Sequence, residues 1–325
     1  MVRRLMGALL LALFGGHVLA AEQIVVSNYG VAANGMPYAI AMEKGFFQQE
    51  GADVSGILSS SGGGTTVRNL LGGNLAYGEI DLAGTVAAIQ QGAALKIVSD
   101  NVLTVGEFVW AVKPESPIKT LADFKGHKIG FTNPRSTSQA LDILLLESGS
   151  MKPTDAELVR TGGFGEQVVA LGLGAIDVAT LADPVWSKNK AALRPILRAA
   201  DTLPPLCNVI GVTTTAAAAD KPEFIRAILR ARRRAVAFMY EHPDDAAAIV
   251  AKVYDLDLAV AQSAITNLVT SKTRGVPYWG PGSFDLDGMN RMIHAQKIVG
   301  ALTEDPDWSQ IIDPQFLPDD LKPKK

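Results

Sequence analysis

From residue 24 to about residue 212, short apolar runs alternate with helical stripes, and two proline-rich breaks interrupt that rhythm. Ile24-Val25-Val26 is a short buried-strand signal. Pro37 then stands where a helix favours its first residue, with Tyr38, Ile40, Ala41, Met42 and Phe46 on one stripe. Val54 to Leu58 reads as the next strand, Val67, Leu70 and Leu71 as the next helix, and Ile80 to Ala83 and Leu95 to Val98 as further strands. Strands that follow one another through helices need crossover connections. The expected class is therefore α/β, built from βαβ units with mostly parallel sheets.

Phe108 to Val112 reads as a longer strand, after which Lys113-Pro114-Glu115-Ser116-Pro117 breaks the pattern. A second series runs through Ile129, Leu158-Val159, Val178 to Leu181 and Ile196-Leu197, until Leu203-Pro204-Pro205-Leu206 breaks it again. The breaks bracket a second lobe at residues 113–207, inserted in a first lobe of residues 21–112 plus 208–325. From Lys221 on the signal is helical, with Pro222 and Pro243 opening helices and Asp257 and Ser283 as expected caps. Gly78-Glu79-Ile80-Asp81-Leu82-Ala83 is echoed 96 residues later by Gly174-Ala175-Ile176-Asp177-Val178-Ala179, a spacing too long for a solenoid and consistent with two related lobes.

Residues 1–20 stand apart. Arg3 and Arg4 precede the apolar run Gly7 to Phe14, and Val18-Leu19-Ala20-Ala21 supplies the small residues of a cleavage site, the order of a secretory signal peptide. Export to the periplasm is the expectation. Removing this leader takes Arg3 and Arg4 and leaves 28 basic against 33 acidic residues, a net charge of −5. That balance lacks the basic field of a nucleic-acid binder. One cysteine, Cys207, excludes an internal disulfide or a cysteine-rich zinc site, and the four histidines, His17, His127, His242 and His294, form no metal motif. No catalytic signature is present: the nearest glycine motif, Gly172-Leu173-Gly174-Ala175-Ile176-Asp177, lacks its third glycine. No metal, cofactor or catalytic residue is expected.

Glu43-Lys44-Gly45-Phe46-Phe47-Gln48-Gln49-Glu50-Gly51-Ala52-Asp53-Val54 resembles a signature of the nitrate, aliphatic-sulfonate and taurine solute-binding proteins of ABC importers. Gly78 to Ala83, Gln91 to Val98, Ile118 to Gly130 and Asp183-Pro184-Val185-Trp186 are similar to that family in the same order, from about residue 24 to about 240. The resemblance implies a type II periplasmic binding fold, in which two α/β lobes joined by two crossover segments close on one ligand. It also implies a monomer that hands its ligand to an inner-membrane ABC permease and its ATPase.

Open α/β sheets bind ligands at the carboxyl ends of their strands. In the first lobe that points to Tyr29, to Ser60, Ser61 and Gly62 ahead of a helix N-terminus, and to Thr85. The bland reading of Ser60 to Gly62 is a flexible turn with a cap. In the second lobe it points to Asn133 and to Arg135, whose guanidinium fork suits a carboxylate or sulfonate. The resemblance adds Ser136 and Thr137. Asp183 either caps a helix or meets a donor group of the ligand; Trp186 either stacks on the ligand or fills a lobe core. Tyr278-Trp279 reads as surface packing or a rim contact, Arg230 to Arg234 as a solvated face, and Cys207 as a small buried residue. The expected function is capture of a small organic anion. The alternatives are an enzyme of thiamine-pyrimidine-synthase type and a periplasmic sensor subunit.

Overall fold

The structure, a computed structural model, describes residues 21–322, so the leader expected at residues 1–20 lies outside it. The chain lays down β1 (Glu22–Ser27), β2 (Val54–Ser60), β3 (Gly78–Asp81) and β4 (Leu95–Val102), then crosses over. It continues with β5 (Phe108–Val112), β6 (Lys128–Phe131), β7 (Glu157–Arg160), β8 (Val178–Ala182) and β9 (Arg194–Arg198), and crosses back into β10 (Val209–Thr214). A hairpin of β11 (Lys272–Thr273) and β12 (Val276–Pro277) precedes β13 (Trp279–Gly282).

Two main sheets result, ordered β13-β4-β10-β3-β1-β2 and β7-β6-β8-β5-β9. In the first, β10 and β13 run against the other four strands; in the second, β5 alone runs against its neighbours. In each sheet one reversed strand thus enters beside the third of three parallel strands, β10 beside β3 and β5 beside β8, and the first sheet adds β13 as a second reversed strand at its edge. β5 belongs to the second sheet, so the crossover is residues 103–107 and not the proline break after Val112. The reason is visible in the pairing. Phe108 to Ala111 align with β8, and the prolines at 114 and 117 only end the strand.

The echoed hexapeptides fall on β3 and β8, which hold the same place in their sheets but not the same register. Asp81 ends β3, whereas Asp177 precedes β8 and accepts from the Lys128 N–H at 2.9 Å. The strand expected at Ile80 to Ala83 ends at Asp81 because that carboxylate accepts the Gly84 N–H at 2.7 Å and starts the helix Leu82–Gln90. Asp285, not Ser283, caps the helix Leu286–Ile298 in the same way.

Long helices cover the first sheet. Pro222–Glu241 lays Ile225, Ile228, Leu229 and Val236 in one apolar cluster with Tyr38, Ile40 and Tyr77. Arg232 corrects the reading of its neighbourhood as a solvated face: it is 1% exposed, bridges to buried Glu79 at 3.2 Å and donates to the carbonyls of Asn101 and Gly280. Asn34 and Asn101 also donate to Glu79, which fills its remaining acceptor sites. Arg230 and Arg234 pair with Glu50, and Arg233 pairs with Asp320. Tyr278 and Trp279 are core residues rather than surface ones. A further apolar cluster is shared by the two sheets, joining Ile97 and Ile210 of the first to Trp110 and Ile129 of the second.

Candidate functional site

β1, β2 and β3 are parallel, as are β6, β7 and β8, so their carboxyl ends present two sets of loops. The loops meet at the crossovers. Asn208, at the end of the second crossover, passes its carbonyl to the Leu82 N–H beside Asp81, while its side chain reaches the other lobe. Thr137 Oγ1 donates to Asn208 Oδ1 at 3.4 Å, and Asn208 Nδ2 donates to Glu107 Oε1 at 2.8 Å. A line of side chains therefore runs from the first turn of the helix Thr137–Ser148 to the first crossover.

On the first-lobe wall, Tyr29 is half-buried and sets its ring edge-to-face on Tyr254, with centroids 5.6 Å apart. Burial, assisted by Glu43, pushes its phenol up to about 12. Ser60 is buried and its hydroxyl donates to Thr66 Oγ1 at 2.7 Å, so it closes the loop from within. Ser61 and Gly62 are exposed, and Gly62 holds φ +74, a conformation that favours glycine. Gly63 is the tightest point: a Cβ there would stand 1.8 Å from Asp81 Oδ2. The protein's own carboxylate thus occupies the N-terminus of the helix Gly63–Gly72 that the sequence offers to an anion. Thr85 is fully buried and donates to the Asp81 carbonyl, which removes it from the wall.

On the second-lobe wall, Asn133 donates to the Gly162 carbonyl and accepts from Arg160, which ties two loops together. Arg135 is exposed at φ +65, its N–H held by Gln139 Oε1 at 2.7 Å, and its guanidinium forms no ion pair among the described residues. Ser136 caps the helix Thr137–Ser148 through the Gln139 N–H. Four members of the expected site, Asn133, Arg135, Ser136 and Thr137, therefore sit together around one helix N-terminus.

Asp183 and Trp186 lie deeper. Asp183 is 3% exposed; it accepts from Ser187 N–H and Oγ and, across to the helix Leu258–Thr270, from Asn267 Nδ2 at 3.1 Å. Its peptide bond to Pro184 is cis, and the short helix starts at Val185. Burial raises its carboxyl above the ordinary range. Trp186 packs among Val109, Leu171 and Leu181 in the second-lobe core, the second of its two sequence readings. Lys190 and Ser187 also reach Ser263 on the helix Leu258–Thr270.

Sequence reasoning missed Glu107, Asn208, Asn267 and Ser263, single polar residues in a crossover or on a helix whose importance comes only from what the fold brings beside them. Glu107 is buried with its Oε2 unpartnered, and burial pushes its carboxyl up to about 8. No group of three or more potential metal ligands occurs among the described residues.

The model of the NMT1/THI5-like family matches residues 32–246. The riboflavin-binding protein RibY of Chloroflexus aurantiacus is 23% identical over 309 residues, covering 87% of this chain and 82% of its own. Among solved structures, the periplasmic aliphatic sulphonate-binding protein SsuA of Escherichia coli superposes with a TM-score of 0.75 at 19% identity, over 90% of this chain and 91% of that one. The desulfurization enzyme DSZB superposes with a TM-score of 0.65 at 16% identity, over 91% and 97%. One architecture thus carries binding proteins and an enzyme. With two thirds of its length matched by one family model and its two sheets arranged as in those proteins, the chain belongs to the NMT1/THI5-like family and has the periplasmic binding protein fold.

Proposed function

We propose that this protein is the solute-binding component of an ABC importer, acting in the periplasm and capturing a small organic anion between its lobes. The polarity across the loops carries the reading. On one side stand unpaired Arg135 and the N-terminus of a twelve-residue helix; on the other stands Asp81. An anionic head suits the first wall, while the second presents the Asp81 carboxyl, which burial raises above its ordinary range and which accepts hydrogen bonds. The solute therefore places a sulfonate or carboxylate at Arg135, Ser136 and Thr137, and turns a hydrogen-bond donor, such as an amine, toward Asp81. Taurine has this form. Tyr29 supplies an apolar face for the carbon chain.

Binding is favoured over catalysis by the state of the one thiol. Cys207 is fully buried and donates to Asp100 Oδ1 at 3.2 Å, and burial and that carboxylate raise the thiol well above its ordinary range. Such a thiol supplies no nucleophile. Hinge closure at residues 103–107 and 199–208 would bring the two walls together on the solute.

Calorimetric titration of the mature protein with taurine, ethanesulfonate and nitrate tests the reading. Taurine is expected to bind most tightly, with Arg135→Ala weakening it about tenfold or more, the scale of one lost charged contact. Equal affinity of Arg135→Ala and the unaltered protein would overturn the assignment of the head group.

A further inference from the structure

A groove of about 510 Å³ opens between the C-terminal half of the helix Thr137–Ser148, the second crossover and the helix Leu286–Ile298. It is separate from the proposed solute site. At 1.5 Å rise per residue, Leu144 lies about 10 Å along its helix from Thr137, and Ser148 about 16 Å. The floor is apolar, formed by Leu144, Leu203 and Leu206. Around it stand Arg274, Arg291 and His294, with Glu147 as the one acidic lining residue.

The two arginines are differently held. Arg291 spends its Nε on the Pro205 carbonyl at 2.6 Å, its Nη2 is 3.9 Å from Asp285, and its Nη1 has no hydrogen-bond partner among the described residues. Arg274 sits in the tight β11–β12 turn at φ +50, followed by Gly275 at φ +87. A turn with two left-handed residues favours Asn-Gly or Asp-Gly, and an arginine there is held against its backbone preference. Its guanidinium makes no ion pair among the described residues. An apolar floor under two guanidinium groups, in a volume suited to a small molecule, is complementary to one kind of ligand.

We infer that this groove is a second binding site, which takes a small amphipathic anion of the size of a medium-chain carboxylate. The alkyl chain lies on the leucines and the carboxylate meets Arg274 and Arg291. Because the walls belong to both lobes and to the crossover between them, an occupant braces the two sheets against each other from outside the solute site.

Octanoate is the probe, with octylammonium as its charge-reversed partner, titrated into the mature protein. Octanoate should bind saturably, and octylammonium should not displace it. Arg274→Gly should weaken octanoate by about tenfold, the loss of one charge-assisted contact, while melting at or above the temperature of the unaltered protein because glycine relieves the turn. Arg135→Ala should leave octanoate affinity unchanged, which separates this groove from the solute site. The inference is overturned by an absence of saturable binding, by unchanged affinity in Arg274→Gly, or by loss of octanoate in Arg135→Ala.

Discussion

At the scale of single residues, the buried acids depart furthest from their ordinary behaviour. Asp142 accepts from Trp110 Nε1 at 2.8 Å and Thr180 Oγ1 at 2.6 Å on one oxygen, leaves the other without a partner, and is pushed up to about 8 by burial. Asp100, pushed up to about 7, and Glu107 behave alike for the same reason. A carboxyl whose folded value is raised binds more protons in the native than in the unfolded chain between the two values. Its stabilisation is therefore complete below about pH 4 and is lost as pH rises toward 8. Asp142→Asn keeps the accepting oxygen and removes the titration. Urea unfolding from pH 5 to pH 8 should show a shallower decline in this variant, by up to about 1.4 kcal/mol per pH unit. An unchanged slope would mean that Asp142 is ionised in the folded protein. None of this was legible in the sequence, because Asp142 stands among Leu141, Ile143 and Leu144 as an unremarkable polar position on a helix, and only β5 and β8 give it partners. Arg135 and its neighbours were legible, since a strand, a polar loop and a helix in succession already make a helix N-terminus with a guanidinium beside it.

At the scale of elements, the alternation of strands and helices was readable because the period-two and period-3.6 patterns are local. Strand ends were less so. Asp81 ends β3 early by capping the next helix, and the same carboxylate fills the space in front of Gly63, a contact between two loops that no local pattern records. The helix Pro222–Glu241 shows a similar limit. Its run Arg230-Ala231-Arg232-Arg233-Arg234 looks uniform in sequence, yet the helix turn carries Arg232 inward onto Glu79 while its neighbours stay at the surface. That pair anchors the helix to the end of the first sheet through the Asn101 and Gly280 carbonyls. Arg232→Met leaves Glu79 with no counter-charge in a buried site, and the expected loss of stability is about 3 to 5 kcal/mol. Denaturant unfolding measures it, and a loss below 1 kcal/mol would show that Glu79 is held neutral and needs no partner.

At the scale of the whole molecule, two related sheets joined by two crossovers place all the parallel-strand loops around one junction, where Thr137, Asn208 and Glu107 link the lobes. The helix Leu258–Thr270 adds a second bridge through Ser263 and Asn267, which no reading of the chain in order could pair with residues 183–190. The two-lobe plan itself was visible from the proline breaks, although β5 lies on the far side of the first one. Among the described residues no helix is long and apolar enough to cross a membrane. On the function proposed above, this junction closes on a small organic anion that carries a donor group. Thermal unfolding of residues 21–325, first unfolded and refolded to strip any carried-over solute, tests it against taurine, other sulfonates, carboxylates, nitrate, pyrimidines and riboflavin. At about 100 times its dissociation constant a true solute stabilises by about 2.7 kcal/mol. A rise in melting temperature with taurine or a similar donor-bearing anion, and none with nitrate, is the predicted result; a refolded protein that no anion stabilises would contradict it.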